Sequence, residues 1–237
     1  MMTAKKTSAP FLHLIFDLDD TLLDTYRQLI PAASRESCQA MVASGLKATL
    51  QECLTERERY VHSPARTDVF KHLVRQFGVE TNTSQERVAK AGYEAFHNRA
   101  VEDDIELFAS ARDMLKDLRS HYGLHLVTAG HRATQESKVR ILEIGSMFDD
   151  IHYVDPSKGE RKSQAFAAIL KASQAPSETQ LSVGNRLDTD IAEAKRLGMQ
   201  TCWVRYGEYA HLEPQNEFEK PDFTIKNIEE LIRACRL

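Results

Sequence analysis

Long hydrophobic runs are missing from this 237-residue sequence. No apolar stretch approaches the roughly 20 residues that a membrane-spanning helix needs. The run FLHLIF at residues 11–16 is short and leads straight into Asp17, so neither a span nor a signal peptide is expected. A basic surplus is missing too. Lys and Arg number 31 against 35 Asp and Glu, a net charge of −4, which leaves no electrostatic footprint for nucleic acid. Cysteine is scarce. Cys38, Cys53, Cys202 and Cys235 lie far apart with no CxxC spacing, which argues against a zinc site or a disulfide framework. Free thiols in a reducing, cytoplasmic compartment are the expectation. There is no internal repeat and no low-complexity segment, and residues 1–9 read as a loose tail.

What is present is alternation. Short runs rich in β-branched or aromatic residues recur at Phe11–Phe16, Leu124–Thr128, Ile151–Val154, Leu181–Gly184, Thr201–Val204 and Phe223–Ile225. Helical patterns separate most of them, at Ala109–Ser120, Ala133–Ile144, Ser163–Ala172 and Thr189–Leu197. This order predicts an α/β fold, a parallel sheet covered on both faces. Strands this short and apolar suit its buried interior.

One stretch breaks the alternation. Thr25 to about Glu102 contains no strand signal. Four helical patterns fill it instead, near Arg27–Ser44, Ala48–Val61, Thr67–Phe77 and Ser84–Arg99. Gly45, Ser63–Pro64 and Gly78–Thr83 punctuate them, and Ser84 reads as an N-cap. Val69, Phe70, Leu73, Val74 and Phe77 mark one apolar face of the third. The sequence therefore divides into a core of residues 1–24 and 105–237 and an all-helical cap of residues 25–104. Thr25 and Asp103–Glu106 are the expected hinges, because the chain crosses between the two there.

The first strand ends in Phe16-Asp17-Leu18-Asp19-Asp20-Thr21-Leu22. Ligands of open α/β sheets gather at the carboxyl ends of strands, and a loop there can turn Asp17 and Asp19 into one crevice. One carboxylate can attack phosphorus. The other can protonate the leaving oxygen and later deprotonate water. Two acids so close need a cation, and a hard one with oxygen ligands, magnesium, fits.

FDLDDTL resembles the first motif of haloacid dehalogenase superfamily phosphatases, and the resemblance extends from about Phe11 to the C-terminus. It implies a Rossmann-like parallel-sheet core with a helical cap inserted after this motif. It also implies that Asp17 is nucleophile and metal ligand, and that Asp19 is general acid/base with its backbone carbonyl on the metal. Thr21 would help fix the loop. Dehalogenases of the superfamily lack the second aspartate, so Asp19 favours phosphoryl chemistry.

Three later segments match the family's other motifs. Leu124–Gly130 supplies Thr128, Ala129 and Gly130, whose hydroxyl and backbone N–H groups would hold a phosphate oxygen beside a helix N-terminus. Gln135 and Lys138 resemble a segment common in helically capped members, and read as helix-surface or packing residues. His131 reads as a solvated loop histidine. The phosphate-neutralising lysine is Lys158 or Lys162. The resemblance selects Lys162, at a helix start and four residues before Phe166, although the helix dipole disfavours a cation there. Leu181–Ile191 matches the metal-holding segment with one departure: Asn185 stands where the family has aspartate. Asn185 and Asp190 would contribute to the metal site, with Asp188 in support. Asp190 also has a bland reading, a capping box with Glu193. Arg186 either binds phosphate or braces its loop.

The expected function is a magnesium-dependent hydrolysis of a small phosphorylated metabolite through an aspartyl-phosphate, with Asp17, Asp19 and Lys162 carrying the catalysis. Rival readings are a phosphotransferase or mutase of the same fold, a phosphonatase, for whose cap lysine Lys47, Lys71 and Lys90 are present but in no supporting pattern, and a non-catalytic phospholigand-binding protein. Nucleic acid and membrane partners are not expected, and oligomeric state is not readable. Arg57, Arg59, Arg66, Lys71, Arg75 and Arg99 are candidate anion contacts, though charged helix faces are usually just solvated.

Overall fold

A computed structural model of the chain describes residues 11–63, 66–99, 101 and 104–237. The loose tail at 1–9, the punctuating Pro64 and the hinge residue Asp103 lie outside the described residues. In chain order the elements are β1 (His13–Phe16), α1 (Thr25–Gln28), α2 (Ile30–Ala43), α3 (Leu50–Val61), α4 (Val69–Phe77), α5 (Gln85–His97), α6 (Ala111–Arg119) and β2 (Gly123–Ala129). Then follow α7 (Arg132–Ile141), β3 (Asp150–Val154), α8 (Lys162–Ser173), β4 (Gln180–Gly184), α9 (Ala192–Arg196), β5 (Gln200–Val204), β6 (Phe223–Ile225) and α10 (Leu231–Cys235). Contacts divide the chain into two compact units, Met1–Asp24 with Asp104–Leu237, and Thr25–Asp103.

The first unit holds a six-stranded sheet in the order β3-β2-β1-β4-β5-β6. Every pairing is parallel. Central strands need apolar side chains on both faces, and Leu14, Ile15, Phe16, Leu124, Leu126, Leu181 and Val183 are all nearly inaccessible. Ile15, Val127 and Val154 pack on one face with Phe166 and Ile169 of α8. The chain moves outward from β1 through β2 to β3, then returns to β4 on the other side of β1. That reversal opens a crevice at the carboxyl ends of β1, β2 and β4, where such folds bind ligands.

The second unit is helical throughout its described residues apart from turns and one short bridge between Leu46 and Val79. Its core joins Cys38 and Met41 of α2, Cys53 of α3, Phe70, Leu73 and Val74 of α4, and Val88 and Ala89 of α5. Asp68 and Ser84 cap α4 and α5 by accepting from Lys71 and Arg87 N–H. Thr49 and Glu52 form a reciprocal capping box at α3.

Two helix expectations need correction. Arg27–Ser44 is broken into α1 and α2. Pro31 sits in the first turn of α2, and with no N–H it cannot bond back to Arg27, so the ladder restarts there. Thr189–Leu197 is not one α-helix. Leu187–Ile191 forms a π-helical turn that precedes α9. Ile191 N–H bonds the Arg186 carbonyl five residues back at 3.2 Å. Wide turns of this kind are frequent at functional sites.

Candidate active site

The loop after β1 is set by its apolar residues. Asp17 N–H donates to the Val183 carbonyl at 2.9 Å, extending the β1–β4 pairing by one bond. The Leu18 carbonyl then accepts from Leu22 and Leu23 N–H at 2.9 and 3.0 Å. Asp20 takes a left-handed φ of 56°, a conformation aspartate tolerates better than most residues. Leu18, Leu22 and Leu23 are fully buried. The three leucines clamp the turn, and Asp17 just before them and Asp19 between them hold their carboxylates at the strand end.

Lys162 lies at the first turn of α8 and is 4% exposed. Its Nζ donates to Asp17 Oδ1 and to Asp190 Oδ1, each at 2.6 Å. The helix start that should repel a lysine tolerates this one because two carboxylates hold it. Glu193 satisfies the helix terminus itself, accepting from Ser163 N–H at 2.6 Å and from the Arg161 guanidinium. Glu193 therefore caps α8. It does not close a capping box with Asp190. Lys158, the other candidate, is largely exposed and lies 3.4 Å from Asp155.

Burial pushes the Asp17 carboxyl well above the ordinary carboxylate range. Lys162 opposes the shift, while Asp190 and Asp19 add to it. Burial works against the charge of Lys162, but Asp17 and Asp190 outweigh it and hold the ammonium above its usual range. The site thus has more negative charge than its one buried bridging lysine balances. Thr21 Oγ1 donates to Asp17 Oδ2 at a long 3.4 Å.

Asp190 reaches Lys162 because Gly184 has no side chain. A Cβ there would fall on the Asp190 carboxylate. Asp190 Oδ2 also accepts from Arg186 N–H at 2.9 Å, and Ser182 Oγ donates to the Asp190 carbonyl at 2.9 Å. Asn185 is buried, and Trp203 Nε1 donates to its backbone carbonyl at 2.9 Å. Arg186 grips Asp188 through two bonds of 3.0 and 2.6 Å and lies 4.6 Å over the Tyr209 ring. Of its two expected roles, the bracing one matches these contacts.

Thr128 is fully buried at the end of β2, with Ala129 and Gly130 half-buried beyond it. Gln135 and Lys138 are not surface residues of α7. They are 2% and 6% exposed, and both turn toward the loop after β1. Lys138 Nζ donates to Asp19 Oδ1 at 2.6 Å, and Gln135 Nε2 donates to Asp19 Oδ2 at 2.8 Å. Gln135 also hydrogen-bonds Thr128 Oγ1. Their three-residue spacing puts them on one face of α7, the signal that could have marked them. Gly130 leaves room for this, since the Gln135 side chain packs against its Cα.

Oxygen donors fit a hard cation. Asp17 and Asn185 directly follow the adjacent strands β1 and β4, and Asp190 lies in the wide turn beyond β4. No group of three or more His, Cys, Asp or Glu forms a ready cage among the described residues. Magnesium does not require one, because it commonly keeps waters and uses one or two carboxylates together with substrate phosphate. The donor set therefore suits magnesium better than a metal that needs a closed protein shell.

A groove of about 710 Å³ lies in the helical unit, lined by Tyr26, Arg27, Ser34, Gln51, Leu54 and Arg57 among others. None of its lining residues belongs to the carboxylate site.

Residues 14–204 match the family model described as haloacid dehalogenase-like hydrolase. The glyceraldehyde 3-phosphate phosphatase of Pyrococcus furiosus is 29% identical over 93% of this chain and 91% of its own. The phosphoglycolate phosphatase of Vibrio parahaemolyticus is 28% identical over 93% of this chain and 94% of its own. A magnesium-bound crystal structure of YfnB from Bacillus subtilis superposes with a TM-score of 0.63 at 21% identity, covering 95% of this chain and 98% of that one. The parallel sheet, the carboxylate loop after its first strand and a family match over residues 14–204 agree, and the chain belongs to the haloacid dehalogenase-like hydrolases.

Proposed function

We propose that the protein is a magnesium-dependent phosphomonoester hydrolase acting on a small phosphorylated metabolite through an aspartyl-phosphate. The observation that carries the reading is the buried triad in which Lys162 bridges Asp17 and Asp190, with Asp19 on the same loop as Asp17. Relatives named for phosphatase activity on two small phosphate esters support the substrate class.

Asp17 is the nucleophile. Lys162 orients its carboxylate and neutralises the incoming phosphate. The Thr128 hydroxyl and the Ala129 N–H, just before α7, receive phosphate oxygens, whereas the expected Gly130 N–H is already donated to the Val154 carbonyl at 2.9 Å and does not serve. Asp19 gives a proton to the leaving alcohol and takes one from the water that follows. Asp17, the Asp19 carbonyl, Asn185 and Asp190 would hold magnesium, with Thr21 and Asp188 supporting the two loops. When bound, the ion supplies charge stabilisation at the transferring phosphoryl group. With Asn185 in place of aspartate, the set has one charge fewer, so weaker magnesium binding is expected than for an Asn185→Asp variant. Fixed charges aimed at the developing charge usually supply the largest part of such a barrier reduction.

The test is phosphate release from p-nitrophenyl phosphate, with magnesium and with EDTA, for the wild type and Asp17→Asn. Turnover that needs the metal and vanishes in the variant is expected. Turnover that survives the substitution would contradict the reading.

A further inference from the structure

We infer that Lys138 and Gln135 are positioning residues for Asp19, and that through them the site is built for phosphate esters of poor leaving groups, those of ordinary alcohols. The inference rests on the reading of Asp19 as general acid/base and deepens it.

A proton donor works only if its carboxyl is held within hydrogen-bond reach of the leaving oxygen. A loop carboxylate that is about a quarter exposed, as Asp19 is, would otherwise sample several rotamers. Here each oxygen has its own buried donor. Lys138 Nζ lies 2.6 Å from Oδ1 and Gln135 Nε2 lies 2.8 Å from Oδ2. Both donors come from one face of α7, a ten-residue helix, so they form a rigid two-point cradle. A carboxylate has about four lone-pair sites. The cradle takes one on each oxygen. Gln135 also bonds Thr128 Oγ1, so the acid and the proposed phosphate-holding hydroxyl are fixed by a single side chain.

The chemistry identifies what this cradle is for. A carboxylate oxygen of Asp17 attacks phosphorus. The P–O bond to the alcohol breaks, its electron pair stays on the alcohol oxygen, and that oxygen takes the proton carried by Asp19. Water then attacks phosphorus and returns a proton to Asp19. The bond from Asp17 to phosphorus breaks, and its electron pair restores the carboxylate. An alkoxide is a poor leaving group and needs the proton as the bond breaks, whereas a nitrophenolate leaves without it. A loosened Asp19 therefore harms alkyl esters selectively.

The experiment compares kcat and KM for glycerol 3-phosphate and p-nitrophenyl phosphate, with magnesium, in the wild type, Lys138→Met, Lys138→Arg and Asp17→Asn. For Lys138→Met we expect kcat to fall about 100-fold on the alkyl ester, within the usual worth of a positioned acid, and only a few-fold on the aryl ester. KM should change little, and Lys138→Arg, which restores a donor, should recover part of the alkyl rate. Equal losses on the two esters would reduce Lys138 to a structural residue and overturn the inference, as would a gain on the alkyl ester. Gln135→Leu should slow both esters, because it releases Thr128 as well as Asp19. An inactive wild type, or an active Asp17→Asn, would remove the reading on which the inference stands.

Discussion

The two units bury charge for different ends. In the sheet unit, Asp17, Asp190, Lys162, Lys138 and Gln135 are buried together, and their bonds run between β-strand ends and helix faces far apart in sequence. Among the described residues of the helical unit the buried cation is Arg57, 3% exposed, whose guanidinium lies 5.1 Å from the Phe96 ring. Its other polar contacts tie helices together, such as Glu56 of α3 with Arg59 on its own helix and with His72 of α4, the last stacked flat on Tyr60 at 3.6 Å. A parallel sheet collects chemistry at one edge because all its strands end there. A helical bundle has no such edge, and its buried polar groups mainly serve packing.

Lys162→Met should sharpen this contrast most. It leaves two buried carboxylates without their cation. Breaking such a network costs about 3 kcal/mol, near the low end because Asp17, already pushed up, takes a proton. Phosphatase activity should fall at least about 100-fold. Urea unfolding and aryl-phosphate turnover check both. A variant of wild-type activity would dissolve the distinction between the units.

Leu73→Ala probes the other side. Leu73 is fully buried among Met41, Phe70 and Val88, so the cavity should cost about 3 kcal/mol. Aryl-phosphate turnover below the unfolding range should remain within about three-fold of wild type, because no site residue loses a bond. Gly184→Ala reverses that pattern. Its methyl displaces the Asp190 carboxylate from Lys162, with an expected overpacking cost of about 2 kcal/mol and a larger loss of turnover than of stability.

The smallest effect is in pH. His13 and His125 hydrogen-bond at 3.1 Å across β1 and β2. Burial lowers the pKa of both below 6.5. A base whose pKa falls on folding favours the neutral form, so this contribution is complete above pH 6.5 and fades as pH drops below it. Glu56 behaves differently. Arg59 beside it, helped by His72 and opposed by slight burial, holds its carboxyl at about 2 against 4.5 when unfolded. Its contribution is complete above pH 4.5 and is lost as pH falls from there through about 2. Urea midpoints of His125→Gln and Glu56→Gln relative to wild type, at pH 8, 5.5 and 3.5, should separate the two. The His125→Gln deficit should shrink between pH 8 and 5.5, and the Glu56→Gln deficit only toward pH 3.5.

The sequence made the sheet legible because its strands are buried on both faces and read as apolar runs. Every expected strand is present, within two residues at each end. Ser84 was legible as a cap for the same local reason, a side-chain oxygen before an apolar helix. What escaped was set by single atoms or by distant partners. The break at Pro31 follows from one missing N–H. The wide turn at Leu187–Ile191 follows from the Asp190 carboxylate folding back to Arg186. Gln135 and Lys138 read as helix-surface or packing residues with no role in the site, because α7 is polar along much of its length and their partner Asp19 lies more than 110 positions away. Choosing Lys162 over Lys158 took a family resemblance. Spacing alone gave no reason that one faces Asp17 and the other Asp155.

The central claim is that Asp17 takes the phosphoryl group before water does. The most direct measurement is the stereochemical course at phosphorus, using an alkyl phosphorothioate made chiral with two oxygen isotopes and hydrolysed in water of the third. Two in-line displacements, first by Asp17 and then by water, predict retention of configuration in the released thiophosphate. Inversion would mean a single direct attack by water and would contradict the account.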